Sequence, residues 1–545
     1  MHTDSALELG DFTTTKRVIP IAALAVVIGI FASFVAAALL KLIGLFTNLF
    51  FYQRFDTSLI SPGGHHLGAF VILVPVAGAL VIGIMARYGS ERIRGHGIPE
   101  AIEAILISGS RVEPKVALLK PLSSAISIGS GGPFGAEGPI IMTGGAFGSL
   151  IAQFFHLTAS ERKTLLVSGA AAGMSATFAA PVASVMLAVE LLLFEWKPRS
   201  IIPVALASVT AAAMRRHILG LGPIFPVPPH PVYIGAAGLV GCIIVGILAG
   251  GMSAALTGGV YAAEDAFALL PIHWMWWPAI GGLAVGIGGY FFPQALGVGY
   301  DVIGGLLQGN MPTRIMLGVL VVKSTIWAVS LGSGTSGGVL APLLMIGGAL
   351  GGLEASMLPF EGAGFWPLVS MGAILGGTMR SPLTGVIFAL ELTHDINIML
   401  PLLLAVTIAH GFTVLVLRRS ILTEKVARRG YHLSREYSID PLEIIFAREV
   451  MRTVDPTTTT TAESHVVAYP DEPLRVIVYR MAETGHTELL VVSRDDRTTI
   501  GVVALSDLLT ARTRILDSER RRERVFGLDL WMPALFGGRR EDSAA

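Results

Sequence analysis

Long apolar runs broken by short polar segments fill roughly the first three quarters of the chain. Runs long enough to span a bilayer, or nearly so, cover 18–50, 67–87, 201–217, 232–258, 275–292, 313–331 and 396–417; a helical crossing needs ~20 apolar residues. A second set is shorter and glycine-rich: 139–156, 163–179, 181–194, 338–357, 365–378 and 382–393. Short, interrupted segments in matching places point to the binding site of a transport protein. Beyond residue 430 the periods change. Val466–Asp471 reads as a short strand and turn, Pro473–Thr484 as an amphipathic helix, Glu488–Val492 and Thr499–Ala504 as strands, and Ser506–Arg512 as a helix, by alternation and helical spacing. The pattern predicts an all-α polytopic membrane protein followed by a small α+β soluble domain.

The matching places repeat one another. Residues 139–150 (PIIMTGGAFGSL) align with 342–353 (PLLMIGGALGGL) at a constant offset of 203, with seven identities in twelve positions. Pro181 and Glu190 match Pro382 and Glu391 at an offset of 201, each proline opening an apolar run that ends in Glu-Leu. Gly95-His96-Gly97 matches Gly297-Val298-Gly299 at an offset of 202. Three blocks in one order at nearly one offset indicate an internal duplication. Identity alone leaves open whether the repeats run parallel or inverted.

Composition sharpens the division. The 545 residues are 52% hydrophobic and 14% charged, against ~25% charged in an average soluble protein. Residues 418–545 hold 20 of the 39 Lys+Arg and 20 of the 39 Asp+Glu, so residues 1–417 are only about 9% charged. A formal net charge of zero gives no sign of nucleic-acid binding. The one cysteine, Cys242, excludes an intrachain disulfide framework. The run from Val18 to Leu40 is too long for a signal-peptide core and lacks a cleavage site, so it reads as a retained helix. The expected boundaries are an N-terminal segment 1–17, a membrane domain 18–430 with halves at about 18–217 and 232–418, a linker 431–448, a soluble domain 449–515 and a charged tail 516–545. Thr457–Thr461 reads as a loop. Arg418-Arg419 and Arg428-Arg429 beside the last span argue that this end is cytoplasmic.

The candidate chemistry lies at Gly135-Ala136-Glu137-Gly138-Pro139. One carboxylate sits in a stretch with almost no other charge, and an ionisable group in an apolar span marks function by default. Glycines and prolines surround it, and broken backbone at membrane depth is tolerated only where it is buried in protein or lines a cavity. Pro139 suits a first helical turn, which would leave the N–H groups of Ala136, Glu137 and Gly138 facing an anion, favoured by the helix dipole. The bland alternative is a surface loop with Glu137 in water.

These residues resemble the CLC family of chloride channels and chloride/proton exchangers, over roughly residues 20–430. Gly95-His96-Gly97-Ile98-Pro99 is similar to the family's GSGIP segment, Gly135–Pro139 to GREGP, and Gly338-Val339-Leu340-Ala341-Pro342 to GxFxP. The resemblance implies two inverted halves of tilted, broken helices, a homodimer with one pore per subunit in a bacterial plasma membrane, and chloride or another small anion as the transported ligand, with protons as a second. It implies no cofactor in the membrane domain. Glu137 would be the gate, a carboxylate that competes with the anion and can carry a proton. His96, Gly97, Ala136, Glu137, Gly138, Val339, Leu340 and Leu422 would surround the anion.

The chain departs from the family pattern in five places. His96 replaces a serine hydroxyl, Ala136 an arginine, Leu340 an aromatic residue, and Leu422 a tyrosine hydroxyl, so both side-chain hydroxyls of the inner gate are absent and selectivity for chloride is put in doubt. Leu191, after Glu190, replaces the internal glutamate common in exchangers, which leans the expectation toward a channel, with the exchanger as the alternative. Glu190 and Glu391 read as structural carboxylates at half-helix ends. The soluble segment resembles a single CBS domain. Such modules often bind adenine nucleotides through a hydroxyl residue followed by aspartate, and here Asp507 is kept while Ala504 lacks the hydroxyl. Two rivals stand outside the family. One is a rhomboid-like serine protease built on Gly334-Thr335-Ser336-Gly337 and His410; the other is a carrier of organic solutes. The protease would leave the duplication and Glu137 without a role; the carrier, sodium- or proton-coupled on a duplicated fold, is distinguished by transport assays with chloride as the only permeant anion.

Overall fold

The computed structural model describes residues 14–220, 222–431, 442, 444–453, 466–494 and 497–520. Most of the expected N-terminal segment and linker, Thr457–Thr461 and the tail beyond 520 lie outside the described residues. The membrane part runs α1 (Val18–Tyr52), α2 (Leu73–Tyr88), α3 (Ile98–Leu106), α4 (Pro114–Gly129), α5 (Glu137–Gln153), α6 (Ala159–Phe178), α7 (Pro181–Leu187, continued as a wider turn Ala188–Leu193) and α8 (Pro198–Ile218). A second series follows: α9 (Ala236–Ala268), α10 (Trp277–Phe291), α11 (Tyr300–Leu307), α12 (Thr313–Gly318), α13 (Ser324–Gly332), α14 (Leu340–Glu354), α15 (Phe365–Met379), α16 (Pro382–Thr393) and α17 (Met399–Val416). Then comes α18 (Ile421–Arg428). Taking α12 and α13, joined by the wider turn Val319–Lys323, as one element, the two series correspond helix for helix.

Packing repeats with the sequence. α1 lies on α6 and α8 as α9 lies on α15 and α17, and α5 lies on α6 as α14 lies on α15. Lipid tails give helices no hydrophobic reason to associate, so close backbone approach through small residues does that work. A methyl group at Gly29 of α1 would sit 2.6 Å from the Ala207 carbonyl of α8, and one at Gly246 of α9 would sit 2.7 Å from the Ala405 carbonyl of α17. The long helices carry exposed apolar residues such as Phe31, Phe34, Ile244 and Leu248, as lipid-facing surfaces require.

Apolar length missed four helices: α3, α4, α11 and α18. Three are short. α4 is hidden by Lys115, Lys120, Pro121 and its serines, yet Lys120 is fully buried there because backbone carbonyls satisfy its charge, as described below.

The C-terminal domain forms a four-stranded sheet of order β1-β4-β3-β2, with β1 (Arg452–Thr453), β2 (Val467–Ala468), β3 (Glu488–Val492) and β4 (Thr499–Ala504). Only β2 and β3 pair in parallel, which the crossover helix α20 (Leu474–Thr484) permits. α19 (Ala447–Val450) and α21 (Leu505–Arg520) complete it. Leu474, Ile477 and Met481 of α20 pack on Leu489, Val491, Val503 and Leu508. Leu442 and Ala447, expected in the linker, belong to this core; the short apolar run 444–447 has neither the length nor the period that marks a helix or strand.

Candidate functional site

Three chain breaks that the sequence singled out meet at one point. Gly95 N–H donates to the Thr335 carbonyl at 3.1 Å and Gly337 N–H to the Gly95 carbonyl at 3.3 Å. Gly135 and Gly338 exchange both backbone hydrogen bonds, 3.2 and 2.9 Å, as an antiparallel bridge. Gly135 and Gly338 are repeat equivalents at offset 203. Equivalent residues that exchange both bonds place a local two-fold axis between them. The loops pack so closely that a methyl at Gly138 would collide with the His96 carbonyl and one at Gly97, whose φ is +90°, would sit 2.5 Å from the Gly138 carbonyl.

Two helices begin at this junction. α5 opens with Glu137-Gly138-Pro139 and α14 with Leu340-Ala341-Pro342. A helix leaves its first N–H groups without intrahelical partners, and proline removes one of them in each case, so the remaining donors form a compact positive end. Ala136, Val339 and Leu340 are fully buried there. Glu137 is fully buried as well. Its carboxylate lies against the Gly135 backbone, faces its own N–H and that of Ala341, and feels the charge of Lys323. Neither oxygen completes a hydrogen bond of normal geometry among the described residues. The carboxylate therefore sits at the head of α14 as an anion would. Gly135→Ala would displace it, because the new methyl needs the space the carboxylate fills. The expected result is faster anion flux with a weakened response to pH, read in a liposome efflux assay; an unchanged flux and pH response would show that the carboxylate has another resting place.

The other expected site residues divide. His96 is buried with Nδ1 unpartnered among the described residues, in the surroundings of Lys425, Glu100, Lys120 and Arg429. Gly97 does not offer its N–H to an anion: that group donates to Glu100 Oε2 at 2.8 Å. Glu100 Oε1 in turn holds Lys425 at 3.0 Å and Arg429 at 3.5 Å, which docks α18 onto α3. Leu422, in the first turn of α18, is buried and brings no polar atom. Gly97 thus shapes the loop and Leu422 walls it.

Two residues were missed. Lys120 Nζ, fully buried, donates to the carbonyls of Ile93 and Gly95, both at 2.8 Å, and to Ser336 Oγ at 3.1 Å. Lys323 Nζ, also fully buried, donates to the carbonyls of Ala295 and Gly297 at 2.9 and 2.7 Å. They stand 203 apart, and that offset was the available signal. Each ammonium pins the loop that leads into α3 or α11.

Glu190 and Glu391 act as reciprocal caps. Glu190 accepts from the N–H groups of Leu383 and Thr384 and from Thr384 Oγ1 at 3.1, 2.9 and 2.6 Å; Glu391 accepts from the N–H groups of Val182 and Ala183 at 2.9 and 2.7 Å. Each half closes the other's helix start. Ser336 is bound to Lys120, Ser123 and Ser124, so it is a brace of the junction rather than a nucleophile. Asp507 Oδ2 accepts from the Ala504 N–H at 2.9 Å and from Arg452 Nε at 3.1 Å.

Residues 77–414 match the family model described as voltage gated chloride channel, and residues 447–514 match that of the CBS domain. A ClcB-like chloride channel protein of Ralstonia nicotianae is 31% identical over 347 residues, 61% of this chain and 80% of that protein. The H(+)/Cl(-) exchange transporter ClcA of Salmonella paratyphi B is 29% identical over 350 residues, 60% of this chain and 72% of that protein. The solved structure of a slow cyanobacterial Cl-/H+ antiporter, 22% identical, superposes with a TM-score of 0.67 over 75% of this chain and 97% of its own. The duplicated helices, the junction of three loops and these matches agree: the chain belongs to the CLC family of chloride channels and transporters, a family of transport proteins rather than enzymes, and carries a C-terminal CBS domain.

Proposed function

We propose that this protein is a chloride/proton exchanger of the bacterial plasma membrane in which Glu137 is both gate and proton carrier. The observation that carries the reading is the Glu137 carboxylate, buried at the head of α14 without a completed hydrogen bond among the described residues. A carboxylate there competes with an anion for the same helix end. Protonation removes its charge and its hold, so anion entry and proton uptake become alternatives at one position. Curated relatives named as H(+)/Cl(-) exchange transporters support this, and the leaning toward a channel, drawn from Leu191, is set aside. Leu191 is fully buried, Glu190 caps α16, and Glu195 is held by Lys197 at 3.1 Å and Ser200 at 2.7 Å. Protons then reach Glu137 through water or hydroxyl groups.

α18, the last membrane helix before the CBS domain, carries Lys425 and Arg428, and α6, on which α21 packs, carries Arg162 and Lys163, which supports a cytoplasmic CBS domain. A homodimer is part of the proposal.

The test is paired chloride and proton flux from liposomes, started from a chloride gradient without a pH gradient. Protons driven uphill in a fixed ratio to chloride are expected; chloride movement without protons would return the channel. His96→Ser restores a hydroxyl to the inner approach and is expected to change the ranking of chloride against nitrate in the same assay. An identical ranking would show that the imidazole turns away from the path.

A further inference from the structure

Tyr300 is the first residue of α11, placed after Gly299, whose φ is +81°. It stands in the repeat where Ile98 stands after Gly97, at offset 202. Its ring meets Phe225 edge-on at 5.9 Å between centroids. Its hydroxyl is buried and has no hydrogen-bond partner among the described residues. A buried tyrosine hydroxyl ordinarily finds a partner, and leaving it without one is costly. The neighbouring ammonium is engaged: Lys323, 4.0 Å from where a methyl at Gly299 would sit, donates to the carbonyls of Ala295 and Gly297. A methyl at Gly299, the residue before Tyr300, would sit 2.6 Å from Met345 Sδ of α14, so the start of α11 packs on the helix whose head the Glu137 carboxylate occupies. Thus an unsatisfied donor and an unsatisfied carboxylate lie in one buried region, beside the head of α14.

The side of approach follows from the loops. The α11 loop lies against Pro62 at Gly297, and Tyr300 lies against Phe225 in the segment joining the two halves. His96 and α18, with its ties from Lys425 and Arg429 to Glu100, are on the side of the CBS domain. Tyr300 is therefore on the approach opposite to His96. Both hydroxyls expected on the inner side are absent from this chain, since His96 and Leu422 occupy their places.

We propose that the Tyr300 hydroxyl donates a hydrogen bond to the transported anion on the approach to Glu137 from the face opposite the CBS domain, and so sets anion affinity there. The inference rests on the reading of Glu137 as gate. When Glu137 occupies the head of α14, the hydroxyl waits without an acceptor. When the carboxylate withdraws, an anion seated between the head of α14 and the hydroxyl gives the hydroxyl a charged acceptor, the stronger kind of hydrogen bond.

Tyr300→Phe removes the hydroxyl and keeps the ring. The half-saturating chloride concentration for flux in liposomes is expected to rise roughly tenfold to a hundredfold, with maximal turnover little changed. The same shift is expected when Tyr300→Phe is added to Glu137→Ala, where no carboxylate is left to interact with. Phe225→Leu, which loosens the ring but spares the hydroxyl, should give a smaller shift. An unchanged half-saturation in Tyr300→Phe overturns the proposal. So does a shift that vanishes in the Glu137→Ala background, since the hydroxyl would then serve the carboxylate alone, and so does an equal shift in Phe225→Leu, which would make the effect one of packing. Failure of the gate reading is seen separately, as an intact pH response and proton coupling in Glu137→Ala itself.

Discussion

Glu137→Gln is expected to abolish proton coupling while chloride still moves. Glutamine has the shape of the protonated acid and cannot ionise, so the side chain can no longer compete with the anion as a charge or carry a proton. The Glu137 carboxylate is buried, lies against Gly135 and faces the Ala341 N–H; an amide in that place keeps the packing and loses the attraction to the helix end. In the paired-flux assay the proton signal should fall to the background leak, and chloride flux should lose its dependence on pH. Glu137→Ala should behave alike with a wider path. Persistence of uphill proton movement in both variants would refute the gate assignment, and retention of the pH response would place the titrating group elsewhere.

Lys120→Met and Lys323→Met are expected to destabilise the protein by about 2–5 kcal/mol each and to suppress transport. Each substitution leaves two buried carbonyls without their donor, and an unsatisfied buried polar group costs about 1–3 kcal/mol. The duplication predicts comparable losses for the two, because each lysine pins the loop entering the equivalent helix. Lys120→Met also strips a donor from Ser336 Oγ, which loosens the strand-like contact between Gly95 and Ser336. Thermal unfolding in detergent measures the loss, with Lys115→Met, on the exposed face of α4, as the comparison. An unfolding midpoint no lower than that of Lys115→Met in either buried variant would show that the loops hold without the ammonium group.

Much of this architecture was legible in the chain. The duplicated blocks at offsets near 202 announced two equivalent halves, since equal sequence in equal order folds into equal local structure. Pro139 and Pro342 announced helix starts because a residue without N–H fits a first turn. Glu137, the one carboxylate of its stretch, announced a site because charge in an apolar setting is costly. The order of strands and helices in the C-terminal domain was readable from its alternating strands and its amphipathic helix, and its resemblance to a CBS domain from the segment Gly501–Asp507.

What the chain by itself determined, then, is the set of local events: where helices start, which segments are apolar, and which residue carries the unusual charge. Tertiary structure decided their partners. That Glu190 and Glu391 cap one another's halves, that Lys120 is interior while Lys115 is not, and that the start of α11 at Gly299 packs on Met345 of α14 all depend on contacts between segments tens to hundreds of residues apart. Backbone hydrogen-bonding capacity is the same at every residue, so no local pattern says which distant donor will fill it; only the packing of the two halves about their common axis does.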